Sequence, residues 1–183
     1  MAAETPICNF GEPAKAFSLE GTDGKTYTLD GVRGPNGLLV MFICNHCPYV
    51  KAVLDRIIRD VSDLKEKGIG AIAIMSNDTL NYPADGFDNM KRLAKEKRLP
   101  FPYVIDETQE VAREYGAVCT PDFFGYDRDL GLQYRGRLDA SKTSPVPDAR
   151  RELYEAMTQV AETGRGPEHQ IPSMGCSIKW KYS

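Results

Sequence analysis

The chain has 183 residues, 42% of them hydrophobic, with 23 lysines and arginines against 26 acidic residues and a formal net charge of −3. This suits one globular domain with a substantial core, and the lack of a basic excess or of cationic clusters interleaved with aromatics argues against nucleic acid as a partner. Residues 1–15 carry neither a basic nor an apolar leader-like region, and no later segment is long and apolar enough to span a bilayer, so no membrane association and a cytoplasmic address are expected.

In chain order, AFSLEGTDGKTYTLD (16–30) reads as a β-hairpin turning around Gly21, Asp23 and Gly24. After the punctuation GVRGPNG, the unbroken apolar run Leu38 to Ile43 has the pattern of a central strand buried on both faces. Val50, Val53, Leu54, Ile57, Ile58, Val61 and Leu64 then recur at helical spacing, which predicts one amphipathic helix from beside Cys44 to Pro48 as far as Gly68. Strand AIAIM (71–75), loop NDTLNYPADG (77–86), helix FDNMKRLAKEKR (87–98), strand PYVID (102–106) and short helix QEVAREYG (109–116) follow. Such alternation predicts an α/β sandwich on a largely parallel sheet. Beyond Thr120 and Pro121, FFGYD and LQYRGRLD predict an antiparallel pair across the turn RDLG. A proline-broken linker, SKTSPVPD, leads to a last helix ended by Gly164. The domain is read as residues 1–164, and residues 165–183 as a C-terminal tail without clear period that packs on it.

The chemistry is concentrated in CNHC, Cys44 to Cys47, at the change from strand to helix. A cysteine at a helix start feels unsatisfied N–H groups and the positive end of the dipole, which favour thiolate. Cys44 is therefore expected to be the more acidic sulfur, tuned by His46, with Cys47 resolving the mixed disulfide it forms. The two-residue spacing brings the sulfurs within disulfide reach, and Pro48 suits the first helical turn. A structural zinc site normally takes four ligands, and here only one CxxC exists while Cys8, Cys119, Cys176 and His169 are scattered. Redox chemistry leads, and neither metal nor cofactor is expected.

Strand, CxxC and helix, with a later Thr120-Pro121 before a strand, resemble the thioredoxin fold. The resemblance implies a thioredoxin-like sandwich, a central mixed β-sheet flanked by helices, opened by the β-hairpin. It implies a cis Pro121 beside the redox pair, with the Thr120 backbone offered to a substrate strand. From about Phe10 to Gly164, through FSLEGTDGKTYTL, FPYVIDET, VAREYGAVCTPDFF and YRGRLD, the chain is similar to the AhpC/TSA branch, the peroxiredoxin-like and thiol reductase-like proteins. The peroxiredoxin signature P-x-x-x-T-x-x-C places its cysteine on Cys47, followed by Pro48, but Val40 stands at its proline position and Cys44 at its threonine position. Arg137 or Arg135 matches its helper arginine.

The function expected is thiol-disulfide exchange through a Cys44/Cys47 cycle. The partners would be a disulfide-bearing protein or small thiol substrate and a thiol reductant as electron donor. The alternatives are a peroxiredoxin-like thiol peroxidase with Cys47 peroxidatic, an antioxidant role, and a copper-binding module resembling the Sco type, using Cys44, Cys47 and a distal histidine. Cys176 is a possible resolving thiol carried by the tail, or a tail cysteine packing beside Trp180. Cys119 is read as packing, Cys8 as peripheral, His169 as solvated, and Lys51 as a charge able to support a nearby thiolate. Oligomeric state is not legible.

Overall fold

The computed structural model describes residues 1–5 and 10–181, so Cys8 lies outside the described residues. The hairpin is present as β2 (Ser18–Gly21) and β3 (Thr26–Thr28), followed by the one-turn helix α1 (Leu29–Val32). The apolar run forms β4 (Gly37–Phe42), buried at every residue because β5 (Ile69–Met75) pairs with it parallel on one side and β8 (Asp122–Tyr126) antiparallel on the other. With β6 (Tyr103–Ile105) and β9 (Leu132–Tyr134), the strand order is β3-β2-β6-β5-β4-β8-β9, a mixed sheet.

Alternation along β4 divides the core between the two faces. Leu39 and Met41 join Ile57, Val61 and Leu64 of α3 (Leu54–Lys65) and Leu153, Met157 and Val160 of α6 (Glu152–Thr163). Leu38, Val40 and Phe42 face the opposite way, against Val111, Ala112 and Tyr115 of α5 (Glu110–Tyr115). The helix predicted from 87 is α4 (Phe87–Lys97), and Gly164 caps α6 in the left-handed region, φ 79°, as a residue without Cβ does most easily.

Four expectations are corrected. The seven-stranded sheet is not largely parallel: only β4–β5 and β5–β6 pair parallel, and its other four pairs are antiparallel. The helix after CNHC is two pieces, α2 (Pro48–Lys51) and α3, because the turn between them tightens: Val53 N–H donates to Val50 C=O three residues back, and Val53 leaves helical geometry. The strand predicted over LQYRGRLD stops at Tyr134. Arg135 turns inward, its backbone N–H bonding the Gln170 side chain and its guanidinium meeting Asp122. The aperiodic tail contains a strand, β10 (Met174–Ser177), placed between β1 (Ala2–Glu4) and β7 (Cys119–Thr120) in a second, antiparallel sheet. Its signal is weak because β10 spans four residues, too short for a period to register.

The Asp122–Arg135 pair ties β8 to the end of β9 in the interior. Arg135 donates from Nε and Nη2 to the two carboxylate oxygens at 3.2 and 3.0 Å, and from Nη2 to the Gly116 carbonyl, while packing over the Phe124 ring. Burial pushes the Asp122 carboxyl up, against the pull of Arg135. Arg135→Ala, which strands a buried carboxylate, should cost about 3–5 kcal/mol in urea denaturation. A loss below about 1 kcal/mol would show that Asp122 is adequately held by the backbone N–H groups around it.

Candidate active site

Strand β4 ends at Phe42 in the middle of the sheet, and the chain runs through Ile43 into the CNHC turn at the carboxyl ends of β4 and β5. Cys47, and not Cys44, is the N-cap of α2, with Pro48 as the first helical residue. Cys44 lies three residues earlier, outside the helix. Both cysteines are 1% exposed.

Opposite them stands Thr120, joined to Pro121 by a cis peptide bond. Its hydroxyl lies 3.4 Å from Cys44 Sγ, and its carbonyl accepts from the Cys47 thiol at 3.3 Å when that thiol is protonated. The geometry brings Cys44, Cys47, Thr120 and Pro121 together, as the sequence led us to expect. Strand β10 adds Cys176, directly opposite Thr120 and packed against the cluster that holds Cys44 and Cys47.

The order of acidity is the reverse of the expected one. The Cys47 sulfur is pulled down to about 4, chiefly because the Cys44 thiol donates to it, with the Cys176 thiol, the Thr120 hydroxyl and the Val50 N–H adding support against burial. Cys44 is pushed well above its ordinary value: its proton is held toward Cys47, it is buried, and the Asp85 carboxylate disfavours a second negative charge beside it. Placement adds to this, since the residue that opens the helix is the later cysteine and the Val50 N–H turns to it. Cys176 is pushed up to about 11 by burial and then by Cys47. Cys119 is raised by burial and faces Pro121 C=O, consistent with its reading as a packing residue.

Several residues that hold this turn are not singled out in the sequence reading. Asp85 is fully buried, accepting from the Asn45 backbone N–H at 2.8 Å and from Asn77 Nδ2 at 2.9 Å. Asn45 donates to the Ala84 carbonyl and accepts from the Tyr103 hydroxyl at 2.8 Å. His46 Nδ1 lies 2.7 Å from Asp85 Oδ2, at an angle outside hydrogen-bond geometry, and its ring stacks on Tyr82. His46 thus reaches the loop at 77–86. The available signal is that this long polar loop follows a central strand, on the edge of a sheet where α/β proteins place their sites.

Cys44, His46 and Asp85 bring one potential metal-ligating atom each within 4.8 Å of one another, the one such group among the described residues. Thiolate, imidazole and carboxylate are zinc- or copper-type donors, but both Asp85 oxygens already accept hydrogen bonds. His169, the distal histidine, lines a separate cleft with Tyr134 and Glu155. Of the two arginines matched to the helper position, Arg135 is bound to Asp122 and Arg137 pairs with Glu152. Lys51 is exposed at the end of α2. Beside Pro121 and Tyr49 lies a cavity of about 150 Å³ that reaches Arg137, Ser173 and Met174.

The thiolate absorbance of the reduced protein should titrate with a midpoint near 4, and Cys47→Ser should abolish that step. Cys44→Ala, which removes the leading donor, should move the midpoint upward. A wild-type midpoint in the ordinary cysteine range of about 8–9 would overturn this assignment.

Comparison with known proteins places this geometry in a family. A solved structure described as an uncharacterized conserved protein from Geobacillus kaustophilus is 45% identical, with a TM-score of 0.94 over 100% of this chain and 98% of that one. At 18% identity, the thioredoxin domain of a thiol-disulfide oxidoreductase from Bacteroides vulgatus shares the thioredoxin-like fold, with a TM-score of 0.58 over 71% of this chain and 91% of that one. Among curated proteins, a chloroplastic peroxiredoxin Q from Populus jackii is 25% identical over 117 residues, 64% of this chain and 50% of that protein. The thiol-disulfide oxidoreductase ResA of Halalkalibacterium halodurans is 26% identical over 114 residues, 62% of this chain and 60% of that protein. The matched part thus spans half to three fifths of those curated relatives. The model of the AhpC/TSA family matches residues 10–136, and the chain belongs to the AhpC/TSA family.

Proposed function

We propose that the protein is a thiol-disulfide oxidoreductase in which Cys47 attacks and Cys44 resolves. The observation that carries this reading is geometric: Cys47 is the N-cap of α2, Cys44 lies three residues before it, and both sulfurs face Thr120 beside the cis Pro121. The Cys47 thiolate attacks one sulfur of a substrate disulfide, the substrate S–S bond breaks, and the departing thiolate takes a proton from solvent. With Cys47 in a mixed disulfide, the thiolate that held the Cys44 proton is gone, so Cys44 ionises more easily. Its thiolate then attacks Cys47 Sγ and releases the second substrate thiol. The substrate disulfide is reduced by two electrons and the Cys44/Cys47 dithiol is oxidised by two. A thiol reductant restores the dithiol by the reverse exchange.

The substrate class is a disulfide-bearing protein or small disulfide, in a reducing, cytoplasmic setting where close cysteine pairs serve catalysis more often than stability. Among the described residues no helix is long and apolar enough to cross a membrane. Thr120 and Pro121 act by facing the sulfurs, and His46 acts as a positioning residue through Asp85.

The antioxidant alternative shares one feature with this reading: Cys47, followed by Pro48, stands at the helix start, where the resemblance to the peroxiredoxin signature puts the reactive cysteine. Turnover separates the two readings. The reduced protein should accelerate insulin reduction by dithiothreitol, and Cys47→Ser should lower that rate by about two orders of magnitude or more. It should consume hydrogen peroxide no faster than an equal concentration of fully ionised free cysteine thiolate does. Fast peroxide consumption with no insulin reduction would replace this reading by a peroxidase with Cys47 as its nucleophile.

A further inference from the structure

We infer that Cys176 is a third redox thiol, able to take Cys47 into a Cys47–Cys176 disulfide within one chain, and that β10 holds it in the strand position facing Thr120. The inference rests on the exchange reading of Cys47 given above.

The first ground is register. Cys176 is directly opposite Thr120 in the antiparallel β7–β10 pair, and Ser177 is opposite Cys119. Directly opposed residues in such a pair share a face with Cβ atoms about 4.5–5.5 Å apart. Thr120 turns its hydroxyl to Cys44 Sγ, so the Cys176 side chain points to the same group of sulfurs. The second ground is packing, since Cys176 lies against the core cluster that holds Cys44 and Cys47, and β10 packs on α2.

The third ground is that the chain is built to bring β10 close. A Cβ on Gly175 would run into the Thr120 carbonyl oxygen and crowd Pro121 N, so only a glycine lets the strand lie so near the cis peptide. Strand β1 pairs along the other edge of β10, with Ala2 opposite Cys176, and Ser173 donates to the Pro121 carbonyl at 2.7 Å. The backbone edge that the sequence assigned to a substrate strand is therefore held by the protein's own segment. Exposure points the same way: Cys44 and Cys47 are 1% exposed and Cys119 is 0%, whereas Cys176 is partly exposed, the most accessible thiol among the described residues.

The exchange balances. When the Cys47 thiolate has attacked a disulfide RSSR and released RS⁻, the remaining Cys47–S–S–R bond is open to Cys176. Cys176 loses its proton to solvent, attacks Cys47 Sγ and expels the second RS⁻, so the two protein thiols are oxidised by two electrons and RSSR becomes two thiols. Cys44 can attack Cys47 Sγ of that product in turn, moving the disulfide to Cys44–Cys47 and returning Cys176 as a thiol with no further oxidant.

The test uses glutathione disulfide on three reduced proteins, with alkylation by N-ethylmaleimide and peptide mapping. In Cys44→Ser, a Cys47–Cys176 linked peptide should form within the monomer, with both glutathiones released per chain. In Cys44→Ser/Cys176→Ser, glutathione should instead remain on Cys47, with an adduct lifetime longer by about an order of magnitude or more. A lasting glutathione adduct on Cys47 in Cys44→Ser, with Cys176 alkylated, would overturn the inference while leaving the exchange reading intact. The exchange reading itself fails if wild type gains no Cys44–Cys47 disulfide and the double variant gains no adduct.

Discussion

One negative charge, on a sulfur almost out of contact with water, is the constraint on which the site depends. Burial opposes the Cys47 thiolate, so its stability comes from donors turned toward it: the Cys44 thiol, the Cys176 thiol, the Thr120 hydroxyl and the Val50 N–H. Each comes from a different part of the fold. The CNHC turn brings Cys44, α2 brings Val50, and the paired strands β7 and β10 bring Thr120 and Cys176. The same contacts hold back the neighbouring sulfurs, because a proton shared with Cys47 is one its owner does not release. In the proposed exchange, oxidation of Cys47 removes that hold, so the resolving thiol is deprotonated after the first attack.

The second constraint is the stiffness of the turn carrying the two cysteines. Asp85 fixes the backbone of Asn45 and the Asn77 side chain, and Tyr103 from β6 fixes the Asn45 amide. A turn held from two neighbouring segments keeps its sulfurs in register with Thr120, which exchange chemistry needs more than it needs a large cavity. Asp85 also contributes charge, which disfavours ionisation of Cys44. The third constraint is the closed edge of β7. Since β10 already pairs with Thr120, an extended substrate must displace it or approach from the side of the cavity by Tyr49 and Pro121.

Much of the fold was legible because it rests on local pattern. The run from Leu38 to Ile43 can be satisfied only by burial on both faces, and β4 lies between β5 and β8 for that reason. The hairpin, the α5 and α6 helices and the cis Thr120-Pro121 were read from turn residues, amphipathic spacing and the thioredoxin-like resemblance. Less legible were the break at Val53 and the strand β10, since one depends on a tightened turn and the other on four residues whose partners are distant in sequence. Asp85 and Asn77 were hidden in a polar loop whose composition resembles any solvated connection.

The sequence by itself determined that two thiols would stand where a central strand gives way to a helix; that a Thr-Pro pair would come near them was implied by the resemblance to the thioredoxin fold. It could not decide which sulfur carries the charge. A helix of one turn begins at the second cysteine and not the first, and a difference of one helical turn changes which sulfur meets the free N–H groups. Nor could it decide the place of Cys176, 129 positions after Cys47, because strand pairing between distant segments is fixed by backbone hydrogen bonds and the close approach at Gly175. Acidity and partner choice at this site are properties of distances between sulfurs, and only the tertiary structure sets those distances.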